Sequence, residues 1–419
     1  MPVSFRAAVA LAGAGGAALL AAVVAQSQST ATAGGPVRYA MDAATMSGMA
    51  AMGAGGGGFG AIMGMMSGRP AQAVRTLELH HGAPTTAPKP QADHFMPKAA
   101  GLGTSVRLLP PTGSTSESGS TSESGDAKFQ RPSGRLLLFW GCGPRAPKGQ
   151  PVVIDFAKIA KGQIPPGLMM SGVDLPEDWT IGISNSRTYT RWPHGEDSKQ
   201  VTATASLLGA HRITANYAKE IGFTLAEDFM PPLQARTADV AGGASQLSWQ
   251  GLDKATGYYA WAVGARDAGR GGTPTEIVWW ASSRQQAFGG PLWDWISPAG
   301  VRKLIAAGTV MPPEQRDCTV PAEVIKAAGD GLMVSLQAYG PQADFAYPPR
   351  PADTKKPWNP EWIARVRFRS STMLIPGMEQ AMGGSASQGA SDSGQGAPAA
   401  KRKCKGLKGI AERAAGLCE

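Results

Sequence analysis

Residues 246–264 read Gln246-Leu247-Ser248-Trp249-Gln250, then Gly251-Leu252-Asp253-Lys254-Ala255-Thr256, then Gly257-Tyr258-Tyr259-Ala260-Trp261-Ala262-Val263-Gly264. The first five alternate polar with apolar side chains, which puts Leu247 and Trp249 on one side of an extended chain. The last eight are aromatic and aliphatic, as suits a pleated strand packed on a core. Glycine and aspartate punctuate the segment between them, and those residues favour a turn over continued strand. The stretch therefore predicts two short strands joined by a tight connection.

The same texture recurs outward along the chain. Strands are expected at Arg135–Trp140, Val152–Phe156, Thr180–Ser184, Arg187–Arg191, Arg212–Tyr217, Ile221–Leu225, Glu276–Ser282, Met333–Ala338 and Trp362–Arg369. Helical patterns are few: Pro298–Ala307, with Ser297 as cap and proline at the first position, and Pro321–Ala328. Short strands without regularly interleaved helices favour antiparallel sheets packed face to face over a parallel α/β sheet. The expected class is mainly β: two antiparallel β-sandwich-like units, near 129–235 and 236–378, with a small helical insertion and disordered flanking arms.

The run Gln246–Trp261, a strand carrying a core tryptophan followed by Ala255-Thr256-Gly257-Tyr258, resembles the start of a fibronectin type III domain. That resemblance implies a β-sandwich for residues 236–378, with Met333–Gly340 and Glu361–Ser370 as later strands. Residues 283–331, which hold both helical patterns and Cys318, have no counterpart in that family and read as an insertion. The whole chain also resembles a set of exported proteobacterial proteins, which implies export and no particular chemistry.

Composition divides the chain into zones. Of 419 residues, 55 are glycine and 33 proline, yet residues 129–378 hold 25 of the 29 aromatic side chains and every tryptophan. Residues 26–128 are rich in Gly, Ser, Ala and Met and include the tandem hexads Ser114–Gly119 and Ser120–Gly125. Such a composition carries little apolar area to offset the entropy of ordering, so it reads as a flexible arm. Residues 379–400 read as a second linker and 401–419 as a basic tail.

The opening carries Arg6, an uncharged apolar run Ala7–Ala25 and small residues suited to cleavage after Ala25 or Ala33. These are the parts of a secretory signal peptide, and they predict an exported protein, periplasmic or secreted, with no transmembrane segment after cleavage. Four cysteines, Cys142, Cys318, Cys404 and Cys418, allow three pairings in an oxidising compartment. Cys142–Cys318 would tie two distant parts of the folded region, and Cys404–Cys418 would need the tail to fold back. None has zinc-site spacing.

Three groups of residues offer binding chemistry. Met41, Met46, Met49, Met52, Met63, Met65 and Met66, followed by His80 and His81, combine soft thioether and imidazole donors suited to copper or silver. Copper is the one cofactor the sequence raises, against the alternative of an adaptable low-complexity segment. Trp279, Trp280, Trp293 and Trp295 form the second group; neighbours on a strand point to opposite faces, so an aromatic platform for a glycan competes with burial beneath the insertion. The third is the tail, with six basic and two acidic residues in a chain of net charge +9, which suits an anionic surface.

Catalysis has thin support. His194, in a loop beside Glu196 and Asp197, is the single general-base candidate, and the motifs of common hydrolases and nucleotide-binding enzymes are missing. No nucleic-acid reading motif accompanies the basic tail. The expected function is a non-catalytic binding or scaffolding protein of the cell envelope that engages an envelope polymer or protein. Three alternatives stand beside it: copper or silver binding through the Met/His arm, glycan binding through the tryptophans, and a hydrolase using His194.

Overall fold

The computed structural model describes residues 35–54, 73–111, 134–159, 180–266, 276–353 and 355–377. The expected leader, the Ser114–Gly125 hexads, the 379–400 linker and the basic tail lie outside them. The architecture is mainly β, built from largely antiparallel sheets with a few short helices. One large sheet joins β5 (Arg135–Trp140), β6 (Val152–Asp155), β7 (Thr188–Trp192), β12 (Gly257–Arg266), β13 (Glu276–Ala281), β15 (Met333–Tyr347) and β16 (Trp362–Leu374) with β1 (Val37–Gly48) and β2 (Val74–Ala83). Its nine strands run in the order β6-β5-β13-β12-β15-β16-β1-β2-β7, in which the β1–β16 and β5–β13 pairs are parallel.

Two smaller sheets cover one face of it. β3 (Ala92–Phe95), β4 (Ser105–Leu108), β8 (Gly209–Ala215) and β9 (Ala218–Leu225) pair in the order β4-β3-β8-β9; β10 (Ala235–Val240), β11 (Ala244–Trp249) and β14 (Asp317–Val320) pair as β10-β11-β14. The shared core takes alternate residues of every layer: Tyr39 and Met41 of β1, Val366 and Phe368 of β16, Ile221 and Phe223 of β9, Leu247 and Trp249 of β11. Period-2 burial along β16, where every second residue from Trp362 to Leu374 is buried, makes the sandwich legible in a single strand.

Four strands, β1 to β4, arise within the stretch that composition assigns to a flexible arm. β1 is no edge: it lies between β16, to which it runs parallel, and β2, to which it runs antiparallel. Its small side chains fit because both faces are covered, with Tyr39, Met41 and Ala43 on the core side and Ala40, Asp42 and Ala44 also buried behind. Thr45 Oγ1 donates to the Met230 carbonyl at 2.7 Å and Ser47 Oγ to that of Leu233 at 2.6 Å, so its polar residues are satisfied by distant backbone. A low aromatic content here signals close packing.

The Thr180–Ser184 strand is replaced by a 3-10 turn over Ile183–Asn185. Asn185 accounts for it: Oδ1 accepts from the Gly182 N–H at 3.1 Å and Nδ2 donates to the Thr180 carbonyl at 2.7 Å, bonds that compete with a ladder. Among the helices are α1 (Met49–Ala54), α2 (Phe156–Ile159), α3 (Pro298–Ala306) and α4 (Ala322–Ala328). α3 starts as its sequence directs, with Ser297 Oγ accepting from the Gly300 N–H at 3.1 Å and Pro298 in the first turn. Cys142, just past β5, and Cys318 of β14 are joined by a disulfide across 176 positions, with Cα atoms 5.1 Å apart.

Candidate aromatic binding face

The face of the nine-stranded sheet turned away from the core is where the unusual side chains collect. β12 and β13 place Trp261 and Trp279 there, while Trp280, one residue on, is fully buried in the core. The pleat thus separates the adjacent tryptophans. The segment after β13 crosses this face and lays Phe288, Leu292 and α3 against it. It also brings Trp293 onto Trp279, ring centroids 5.5 Å apart and stacked, and onto Trp261 at 5.0 Å.

Gly289 makes that approach possible. Its φ of +57° lies in the left-handed region, and a Cβ there would stand 2.7 Å from the Trp279 ring. Trp279 and Trp261 are half-buried, and Trp293 remains 37% exposed at the outer end of the stack. The Trp279 indole N–H has no hydrogen-bond partner among the described residues.

Trp295 is held from below by β16. The Arg369 guanidinium lies 4.1 Å from its ring centroid and the Arg367 guanidinium 5.7 Å, while Arg369 Nη1 donates to the Trp293 carbonyl at 2.8 Å. Strand pairing sets acidic partners beside these arginines: Asp42 of β1 is the register partner of both Arg367 and Glu78. Asp42 accepts two hydrogen bonds from Arg367, at 2.6 and 2.7 Å. His80 sits 3.8 Å from Glu78 and holds that carboxyl below its ordinary range, with Arg369 and Arg367 adding to the effect. Burial lowers the Arg369 pKa, and Glu78, Asp42 and Asp294 work against that shift.

The face thus offers indole rings at half exposure beside guanidinium and carboxylate groups. Asp42 is 2% exposed and saturated by Arg367, so it has no route to act as an acid or base on a ligand. His194 is occupied in the same sense: Nε2–H donates to the Arg107 carbonyl at 2.8 Å, and Nδ1 accepts from the N–H groups of Glu196 and Asp197 at 3.2 and 3.3 Å. Through these bonds the imidazole closes the turn from His194 to Asp197.

The described members of the methionine and histidine set are spread over the core, α1 and both faces of β2. Met41 is buried in the core, Met46 and Met49 lie at the end of β1 and in α1, and Met52 falls in α1. Met63, Met65 and Met66 lie outside the described residues. His80 and His81 point to opposite faces of β2, so one ion cannot take both. No cluster of three or more metal-ligating His, Cys, Asp or Glu occurs among the described residues.

The buried imidazoles instead form polar bridges between the sheets. His211 Nε2–H donates to the Leu207 carbonyl at 2.7 Å, which leaves Nδ1 to accept from His94 Nε2–H at 3.0 Å and His94 Nδ1 to accept from the Tyr39 hydroxyl at 2.7 Å. One proton order satisfies every member in the neutral state. His81 Nδ1 meets the Tyr217 hydroxyl at 2.7 Å, and that hydroxyl meets Thr190 at 2.7 Å. Burial pushes His81 down to about 3 and lowers His94 and His211 as well, with His211 adding to the shift of His94. Composition placed His80, His81 and His94 in a loose arm, so nothing in the sequence marked these bridges.

Comparison of the chain with protein-family models, curated proteins and solved structures gives no match. Among the described residues no helix is long and apolar enough to cross a membrane.

Proposed function

We propose that the protein is an exported, non-catalytic binding protein of the cell envelope and that its ligand is a glycan held on the Trp261–Trp279–Trp293 face. The observation that carries this is the stack itself, an indole row left half open and ended by the 37% exposed Trp293. A sugar ring presents apolar C–H faces to such rings and hydroxyls to groups like Glu78 and Arg369. The locked Asp42 and His194 favour holding over cleaving.

Export rests on Arg6 with Ala7–Ala25 and is supported by the Cys142–Cys318 bond, which suits an oxidising compartment. The fibronectin type III likeness also belongs to this proposal. It is supported by β11 and β12 lying in different sheets, with Trp249 packed 5.3 Å from Tyr258 where the chain crosses between layers.

Retention of the purified chain on insoluble peptidoglycan, chitin and cellulose tests the reading. Trp293→Ala and Trp295→Ala are expected to lower retention about tenfold on whichever polymer binds wild type. Wild-type passage through all three, or equal retention of both variants, overturns it.

A further inference from the structure

Two strand edges open onto one groove. β15 pairs with β12 only through residues 333–339, whereas its last six residues, from Gln342 to Tyr347, pair with β16 alone. β9 ends its own sheet. Among the described residues neither edge has a second strand beside it. The two meet where Phe223 of β9 stacks on Phe345 of β15, ring centroids 4.7 Å apart. Beside that pair lies a cavity of about 590 Å³ lined by Gly222, Phe223, Phe345, Arg350, Trp358 and Trp362.

We propose that this groove binds an extended acidic peptide segment of a partner protein, added as a strand to the 342–347 edge of β15. An unpaired edge offers a row of backbone donors and acceptors, the recognition mode in which main-chain bonds supply affinity and side-chain slots supply selectivity. Residues 342–347 span about 20 Å, room for a partner strand of six residues. Alternate side chains of that strand would enter the aromatic slot, which suits a large apolar group.

Charge sets the rest of its sequence. The exposed Arg350 lies 5.4 Å over the Trp358 ring, and Lys355 and Lys356 stand exposed on the same loop. Of the neighbouring carboxylates, Asp344 is engaged by Arg365 and Glu361 by Lys219, and the exposed Asp353 on the same loop offsets one of its three cations. The rim is therefore cationic in excess and selects an acidic segment. A second copy of the chain, with net charge +9, is the wrong sign for it.

The test is fluorescence anisotropy with the full chain and a fluorescein-labelled hexapeptide that alternates glutamate with tryptophan or valine, against the same peptide with lysine for glutamate. Saturable binding of the acidic peptide is expected, about tenfold stronger than the lysine form and weakened by added salt. Gly222→Trp is designed to fill the groove, and a Cβ at Gly222 meets nothing within 4 Å, so the first side-chain atom has room. Gly222→Trp and Arg350→Glu, each with an unchanged circular dichroism spectrum, are expected to weaken binding about tenfold. Should Gly222→Trp fail to fold, Arg350→Glu alone decides.

Three results overturn the proposal: no saturable binding up to about 1 mM, equal affinity for both peptides, or undiminished binding by the folded variants. Dimerisation of the chain that Gly222→Trp abolishes would also overturn it and give the groove to a second copy. The tryptophan face shares no residue with this groove, so either proposal can fail alone.

Discussion

Asp42 and Arg367 face each other across the parallel pairing of β1 and β16, joined by two hydrogen bonds and exposed by only 2% and 12% at their side chains. Removing one partner strands the other as a buried charge, at a cost of about 3–5 kcal/mol. Arg367→Met is therefore expected to lower stability by that amount. The double change Asp42→Leu with Arg367→Met should recover most of the loss, as measured by guanidinium denaturation.

Stability should fall on mild acidification. His81, His94 and His211 are held neutral in the folded state, with His81 at about 3 against roughly 6.5 in an unfolded chain. Below that unfolded value the unfolded chain binds protons that the folded one refuses, so the stabilisation is complete above pH ~6.5 and is lost as pH drops. At pH 5, His81 alone accounts for about 2 kcal/mol. Denaturation midpoints at pH 8, 6.5 and 5 check this. His81→Phe, which leaves the Tyr217–Thr190 bond in place, should flatten the profile by that share.

The Cys142–Cys318 bond closes a loop across 176 positions. Chain entropy over such a loop corresponds to about 5 kcal/mol. Reduction, or the pair Cys142→Ser with Cys318→Ala, is expected to lower the thermal midpoint by several degrees without altering the far-ultraviolet spectrum at 20 °C, roughly as loop entropy requires. Differential scanning calorimetry with and without reductant reads it.

Trp280 and Trp293 should behave as opposites. Trp280 is wholly buried, with its indole N–H bonded to the Gly141 carbonyl at 2.9 Å, and Trp280→Ala should cost about 3–5 kcal/mol. Trp293→Ala should cost about 1–2 kcal/mol and act on glycan retention instead. Gly289→Ala forces the Trp279 ring away and is expected to shift tryptophan emission and lower retention together, measured on the same samples.

What could be read in advance follows from range. Strands such as Trp362–Leu374 declare themselves because one side faces the core and period-2 alternation is local. β1 does not, because the partner that buries it is 325 positions away and its own residues are small. Opposite placement of Trp279 and Trp280 follows from the pleat alone. The arginines beneath Trp295 carry a local signal too, because Arg365, Arg367 and Arg369 on one side of a predicted strand mark a charged face. Asn185 overrode a strand through its own side chain, a competition that alternation cannot weigh.

The parallel seat of β1 beside β16 dictates an order of assembly. A ribosome that has released three hundred residues has delivered β1 but none of β16, so one long edge of β1 has nothing to pair with until synthesis is almost over. The large sheet cannot close one segment at a time behind the emerging chain. A chain arrested before Trp362 is therefore expected to be degraded or to aggregate, even though it contains every tryptophan but the last.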